Sequence, residues 1–205
     1  MTLKTVGLIV CAVLAYLIFQ QEVRLRDAKL NRAQLASIRF GPTPEQLATR
    51  TPAFAYKNHT VTPLARFNIR ARVMSAEAYR LDRGAQVSPI DLALAWGRLA
   101  EKGNYTRIEV SQSGRWFYTR WAGAPPLPLQ EIELSAANMH MIPANEAVER
   151  TLKRVSRHDM VRLKGFLVAV NSPDGWEWRS SLSRSDTGDG ACELVFVEAV
   201  EIEAD

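Results

Sequence analysis

The chain has 205 residues, of which 47% are hydrophobic, and its 26 Lys and Arg outnumber 22 Asp and Glu for a net charge of +4. That length fits one domain with an appendage, and so small a charge imbalance demands neither a polyanion nor an acidic surface as partner. Of the two cysteines, Cys11 lies in an apolar N-terminal run, so Cys192 alone belongs to the remainder and no disulfide can form within it.

Thr5 to Phe19 reads TVGLIVCAVLAYLIF, without a charged residue. It sits at the short end of the roughly 20 apolar residues that span a bilayer. A cleaved signal peptide is the competing reading, but Ile18-Phe19-Gln20-Gln21 offers no small-x-small cleavage site, which favours an uncleaved anchor. Arg24, Arg26, Lys29 and Arg32 follow the run, and by the positive-inside rule they place the following domain in the cytoplasm. A short N-terminal tail leading at once into an apolar run is instead the layout of an export-type anchor. We take the extracytoplasmic side as the expectation, against the simple charge count. Gln20 to Ile38 lacks Gly and Pro and should continue as helix until Gly41, Pro42 and Pro44 stop it. The expected division is an anchor over 1–20, a juxtamembrane helix over 21–40 and a globular domain over 41–205.

Within the domain, Phe67, Ile69, Ala71 and Val73 alternate with Arg66, Asn68, Arg70 and Arg72, the period of a half-buried strand. Ser88-Pro89-Ile90-Asp91 has the form of a helix start, predicting a helix through Leu99 to Gly103. Tyr105–Val110 and Arg115–Trp121 read as a hairpin about Ser111-Gln112-Ser113-Gly114. A short strand is expected near Glu131–Leu134, and a helix from an Asn145 cap to Arg154. Asp159–Val170, the stretch around Trp176 and Trp178, and Cys192 to Ile202 complete the strands, with Asn171-Ser172-Pro173-Asp174-Gly175 as a turn. The expected class is α+β: an N-terminal transmembrane helix followed by a mostly antiparallel, OB-like or small-barrel β domain with two short helices. A helix followed by Asp159-x-Val161-x-Leu163-x-Gly165 is an element that OB-like barrels use.

Four groups carry candidate chemistry. Asp186-Thr187-Gly188 matches the aspartic-protease tripeptide, but it has no second copy and no apolar strand before it. Asp186, Asp189 and Glu193 offer oxygens to calcium without EF-hand spacing, and Asp and Gly there equally suit a turn. Cys192 can act as a nucleophile beside His140 or His158, or simply be a buried thiol. Asn138-Met139-His140-Met141 joins a histidine to soft sulfur ligands, although Met139 and Met141 fit a core equally well. The catalytic candidates are therefore Asp186, Asp189, His140 and Cys192. Arg70, Arg72, Arg115, Trp116 and Tyr118 are the ligand-binding candidates, as a charged and aromatic platform of the kind OB-folds use. No metal site and no cofactor is expected. The expected partners are the lipid bilayer, through residues 3–20, and a protein in the membrane, but not nucleic acid.

Trp176-Glu-Trp178-Arg-Ser-Ser181, Ser183-Arg184, Asp186-Thr-Gly-Asp-Gly-Ala-Cys-Glu193 and Ser111-Gln-Ser-Gly-Arg-Trp116 give the C-terminal two-thirds a resemblance to uncharacterised bacterial single-pass inner-membrane proteins. The resemblance implies that topology and location, and transfers no activity, ligand or site. Two functions compete: a membrane-anchored binding or assembly module, and a membrane-anchored hydrolase using the Asp186–Glu193 loop.

Overall fold

The computed structural model describes residues 3–183 and 192–204. The chain begins with one unbroken helix, α1 (Leu3–Leu35), whose apolar part has a mean hydropathy of 1.9 and is not buried by the rest of the protein. By length and composition it can cross a membrane. Anchor and juxtamembrane segments are thus a single helix, which ends at Leu35, short of the expected Ile38. Its last turns are not a free stalk. Asn31 and Leu35 are buried, and Asp27 and Arg32 are ion-paired to the domain.

The domain is α+β, a mostly antiparallel mixed sheet with short helices. Its strands and helices in chain order are β1 (Glu45–Ala48), β2 (Phe54–Tyr56), β3 (His59–Ala78), β4 (Ile90–Ala95), α2 (Lys102–Tyr105), β5 (Glu109–Ser113), β6 (Trp116–Arg120), α3 (Leu129–Leu134), β7 (Ala136–Pro143), α4 (Glu146–Leu152), β8 (Met160–Asn171), β9 (Glu177–Arg179) and β10 (Glu193–Ile202). The main sheet runs β1-β3-β4-β7-β10-β8-β9. β3 is long and shifts register near Pro63 and Val73, so it serves two neighbours: β8 along Thr60–Arg72 and β4 along Arg72–Ala78. β7 and β10 are parallel, which requires the crossover through α4 and β8. β5 and β6 form a separate two-stranded sheet.

The alternation in β3 behaves as its sequence predicts. Phe67, Ile69, Ala71 and Val73 enter the main core, where they meet Leu92, Leu94, Met139, Met141, Leu163 and Val197, with Val148 and Leu152 added from α4. The Asn145 side chain caps α4 by accepting from the Val148 N–H at 3.0 Å. Gly165 is dictated by packing, because a Cβ there would overlap the backbone carbonyl of Phe196 on β10.

Three local expectations fail, the first of them through burial. Ile90–Ala95 is a strand and not a helix. Leu92 and Leu94 fill the main core while Ala93 and Ala95 face a second cluster, so the run is apolar on both sides and shows no strand alternation. β7 is an unforeseen strand with Met139 and Met141 in the core and Asn138 and His140 buried on its other face, and the segment Glu131–Leu134 expected as strand is part of helix α3. The hairpin forms, but its turn is the pair Gly114-Arg115, at φ of 59° and 72°. Both values are positive, as a two-residue I′ hairpin turn requires.

Candidate functional site

The site begins with a row of residues on the face of β4 and β7 opposite the main core. Asp91 lies directly across from His140, and Ala93 across from Asn138. Cross-strand partners share a face, so the carboxylate and the imidazole point the same way. Asp91 is fully buried, His140 nearly so, and His140 Nδ1 sits 2.9 Å from Asp91 Oδ2. A buried carboxylate needs a compensating cation, and Arg115 delivers it from the hairpin tip. Its Nη1 donates to Asp91 Oδ1 at 2.7 Å and to the Ser88 carbonyl at 3.0 Å, and its Nη2 donates to Asp82 at 2.8 and 3.0 Å. The guanidinium stacks 3.9 Å from the Tyr79 ring centre. Asn138 ties the same turn down, donating to the Arg115 carbonyl at 2.8 Å and accepting from Gln112 at 2.6 Å. These contacts hold Arg115 in a left-handed conformation that costs an L-residue roughly 1–2 kcal/mol.

The charges shift accordingly. Burial alone would raise the Asp82 carboxyl, but the bonds and charge of Arg115, with the Ala85 and Gly84 N–H groups, hold it below the usual carboxylate range. Burial pushes the Tyr79 phenol up.

Over this network lies an aromatic wall. Trp178 packs 4.7 Å from the His140 ring and meets Trp176 edge-on at 5.8 Å. Arg83 sits 5.2 Å above Trp176, and Arg115 sits 5.5 Å from Trp178. Gly84 makes room for the Trp178 indole, since a Cβ at that position would lie 2.9 Å from Trp178 Cζ3. Together these groups, with Trp116, Arg179, Glu177 and Cys192, bound a cavity of about 560 Å³.

The structure separates the residues that the sequence put forward. Arg115 and Trp116 line the cavity, as do His140 and Cys192. Arg70 and Arg72 do not join them. Arg70 pairs with Glu203 at 2.6 Å and borders a different concavity with Pro42 and Arg98, while Arg72 stacks on Tyr105 and donates to the His158 carbonyl. The single platform expected from β3 and the hairpin is therefore not formed, because the hairpin tip folds toward β4 and β7. Tyr118 lies on the exposed side of β6 beside Glu109 and Arg157. His158 packs against Tyr105, apart from Cys192. Asp186 and Asp189 lie outside the described residues. Met139 and Met141 are core, and among the described residues no three His, Cys, Asp or Glu side chains group as metal ligands.

Sequence reasoning missed Asp82 and Tyr79, read Asp91 as part of a helix start, and named Asn138 only as a neighbour of His140. Asp91 carried a usable signal, a lone carboxylate inside the apolar run Ile90–Ala95. The arrangement offers two chemistries: stacking and hydrogen bonding in an aromatic groove, and an imidazole lying beside a buried carboxylate, close to it but without hydrogen-bond geometry, on a wall shared with a thiol. No protein-family model matches the chain, no curated protein is significantly similar to it, and no solved structure matches it.

Proposed function

We propose that this is a membrane-anchored, OB-like binding module on the extracytoplasmic face of a bacterial inner membrane, whose groove takes an uncharged, polyhydroxylated chain such as a glycan. The OB-like reading is supported by the pairing of β3, β4, β7, β8 and β10, in which the first strand meets both the second and the fourth and the third runs parallel to the fifth. It is also supported by α4 lying between the third and fourth of these strands. In such folds ligands sit on the face of the second and third strands, between the loops that join strands one to two and four to five. Asp91 and His140 mark that face here, Asp82–Gly84 belong to the first loop, and Trp176–Arg179 with Cys192 belong to the second.

The observation that carries the ligand class is charge compensation around one exposed indole, Trp116, and two half-buried ones, Trp176 and Trp178. Arg83, Arg115 and Arg179 at the groove are more than offset by four carboxylates: Asp82 and Glu177 on its wall, and Asp91 and Asp174, which pair with Arg115 and Arg83. Grooves for single-stranded nucleic acid carry a positive field along the backbone path, and here that field is cancelled. What remains is indole faces ringed by fixed donors and acceptors, which suits the C–H faces and hydroxyls of a sugar.

The test titrates the detergent-solubilised chain with chitohexaose, cellohexaose and dodecathymidylate, reading tryptophan fluorescence. A saturable response to a neutral hexasaccharide is expected, weakened about tenfold by Trp116→Ala, equivalent to about 1.4 kcal/mol. Binding of the oligonucleotide alone would overturn the ligand class, and no response to any of the three would overturn the groove itself.

One observation favours the hydrolase reading as a second choice. His140 lies 2.9 Å from Asp91, though without hydrogen-bond geometry, and shares the cavity wall with Cys192, the set of parts that thiol acyl-transfer sites use. It predicts that His140→Ala slows iodoacetamide alkylation of Cys192 at pH 6 in a Cys11→Ser background. Equal rates would remove the case for it.

A further inference from the structure

We infer that the globular domain rests on the bilayer surface, with the side bearing α1 and α4 turned to anionic phospholipid headgroups. The inference depends on α1 spanning the membrane, but not on any ligand of the groove. α1 meets the domain along one stripe: Gln20, Val23, Asp27, Asn31, Gln34 and Leu35 are its less exposed positions beyond Phe19, while the residues between them are open to solvent. That spacing is one helix face. Arg150 of α4 grips Asp27 with two bonds, at 2.7 and 3.0 Å, and Arg32 donates to Glu201 of β10 at 3.1 Å. The domain is therefore docked sideways on the helix, not hung from its tip.

Geometry then sets the height. From Gln20 to Leu35 the helix rises about 24 Å, with Asp27 about 12 Å above the apolar segment. A compact domain of about 165 residues has a radius of gyration of about 15 Å and hence a diameter near 40 Å. Centred on the docked turns, about 18 Å up, it reaches down into the headgroup layer, which adds about 5–7 Å to each side of the hydrocarbon. The charge there is complementary: Arg24, Arg26, Lys29 and Arg154 are exposed, against Glu22 and Glu146. Basic groups within a Debye length of an anionic leaflet are attracted to it.

A nitroxide on Ser156→Cys, in full-length protein with Cys11→Ser and Cys192→Ser, tests this in nanodiscs of POPC and of POPC with POPG. The expected result is loss of accessibility to an aqueous nickel chelate, deeper in the POPG discs. The pair Asp27→Ala/Arg150→Ala should restore full accessibility while circular dichroism stays unchanged. Hydrogen exchange of unlabelled wild type gives a readout free of substitutions, expected to show protection of 146–157 in POPG discs relative to detergent micelles. Bulk-water accessibility at 156 in both discs, with α1 resistant to alkaline extraction, overturns the inference. Equal depth in the two lipids overturns the choice of anionic headgroups, and release of α1 by alkali overturns the spanning helix beneath both.

Discussion

Replacing Arg115 tests whether the hairpin is pinned to the sheet by charge. The Arg115 side chain is 16% exposed, and its partner Asp91 is 0% exposed. Arg115→Met keeps much of the aliphatic bulk but leaves Asp91 buried with only His140 and Asn138 beside it. Breaking one side of a buried pair costs about 3–5 kcal/mol, and the full burial of Asp91 places this variant near 4 kcal/mol by the same reasoning. The reverse change, Asp91→Ala, should cost less. Arg115 would keep both bonds to Asp82 and some contact with water, so the loss is about 2–3 kcal/mol, roughly one charge-assisted bond. Asp91→Asn combined with Arg115→Met removes both charges and should be milder than Arg115→Met alone, with a coupling of about 2 kcal/mol. Urea unfolding of the detergent-solubilised chain, followed by tryptophan fluorescence with an unchanged m-value, measures all three. A loss under about 1 kcal/mol for Arg115→Met, or a greater loss for Asp91→Ala, would refute the account on its own magnitudes.

The remaining predictions concern packing and pH. Gly165→Ala should abolish cooperative unfolding, because its Cβ meets backbone rather than a side chain that can turn away, whereas Gly103→Ala, with open space around it, should be neutral or stabilising by up to about 1 kcal/mol. His158 is held neutral, its pKa lowered from 6.5 first by burial and then by Arg157 and Arg72. The unfolded chain therefore takes up this proton before the folded one does, and stability falls as pH drops below 6.5 toward the lowered folded value. His158→Asn, which tolerates the φ of 75° there, should flatten that part of a melting-temperature profile; an unaltered slope assigns it to other groups. Gly84→Ala should displace Trp178 and weaken saccharide binding without unfolding the chain, and calorimetry with chitohexaose measures the loss.

Features that depend on near neighbours were legible in the sequence. The uncharged run of α1, the alternation of β3 and the Asn145 cap each rest on spacings of a few residues and appear where the spacing put them, while the hairpin forms with its strands at Glu109–Ser113 and Trp116–Arg120 and its turn moved to Gly114-Arg115. Strand β4 was not legible, since an apolar segment buried on both faces carries no period to read, and in β7 the short alternation Asn138-Met139-His140-Met141 suggests soft ligands instead of a strand. The site was half legible. Arg115, Trp116, His140 and Cys192 were singled out for their chemistry, yet Arg70 and Arg72, grouped with Arg115 and Trp116 as one basic and aromatic platform, belong elsewhere. Nothing local reports that Asp91, Asp82 and Tyr79 converge on one guanidinium, because their meeting depends on which strand β4 pairs with and on where a two-residue turn aims its side chain. The sequence by itself determined an apolar helix followed by a β-rich domain, since hydrophobic burial and capping act over short spans. Tertiary structure alone decided that the end of this helix is part of the domain surface, through contacts that join residues more than a hundred positions apart, and that the indoles wall one groove, through contacts such as His140 to Trp178 and Arg83 to Trp176 that bring separate strands and loops together.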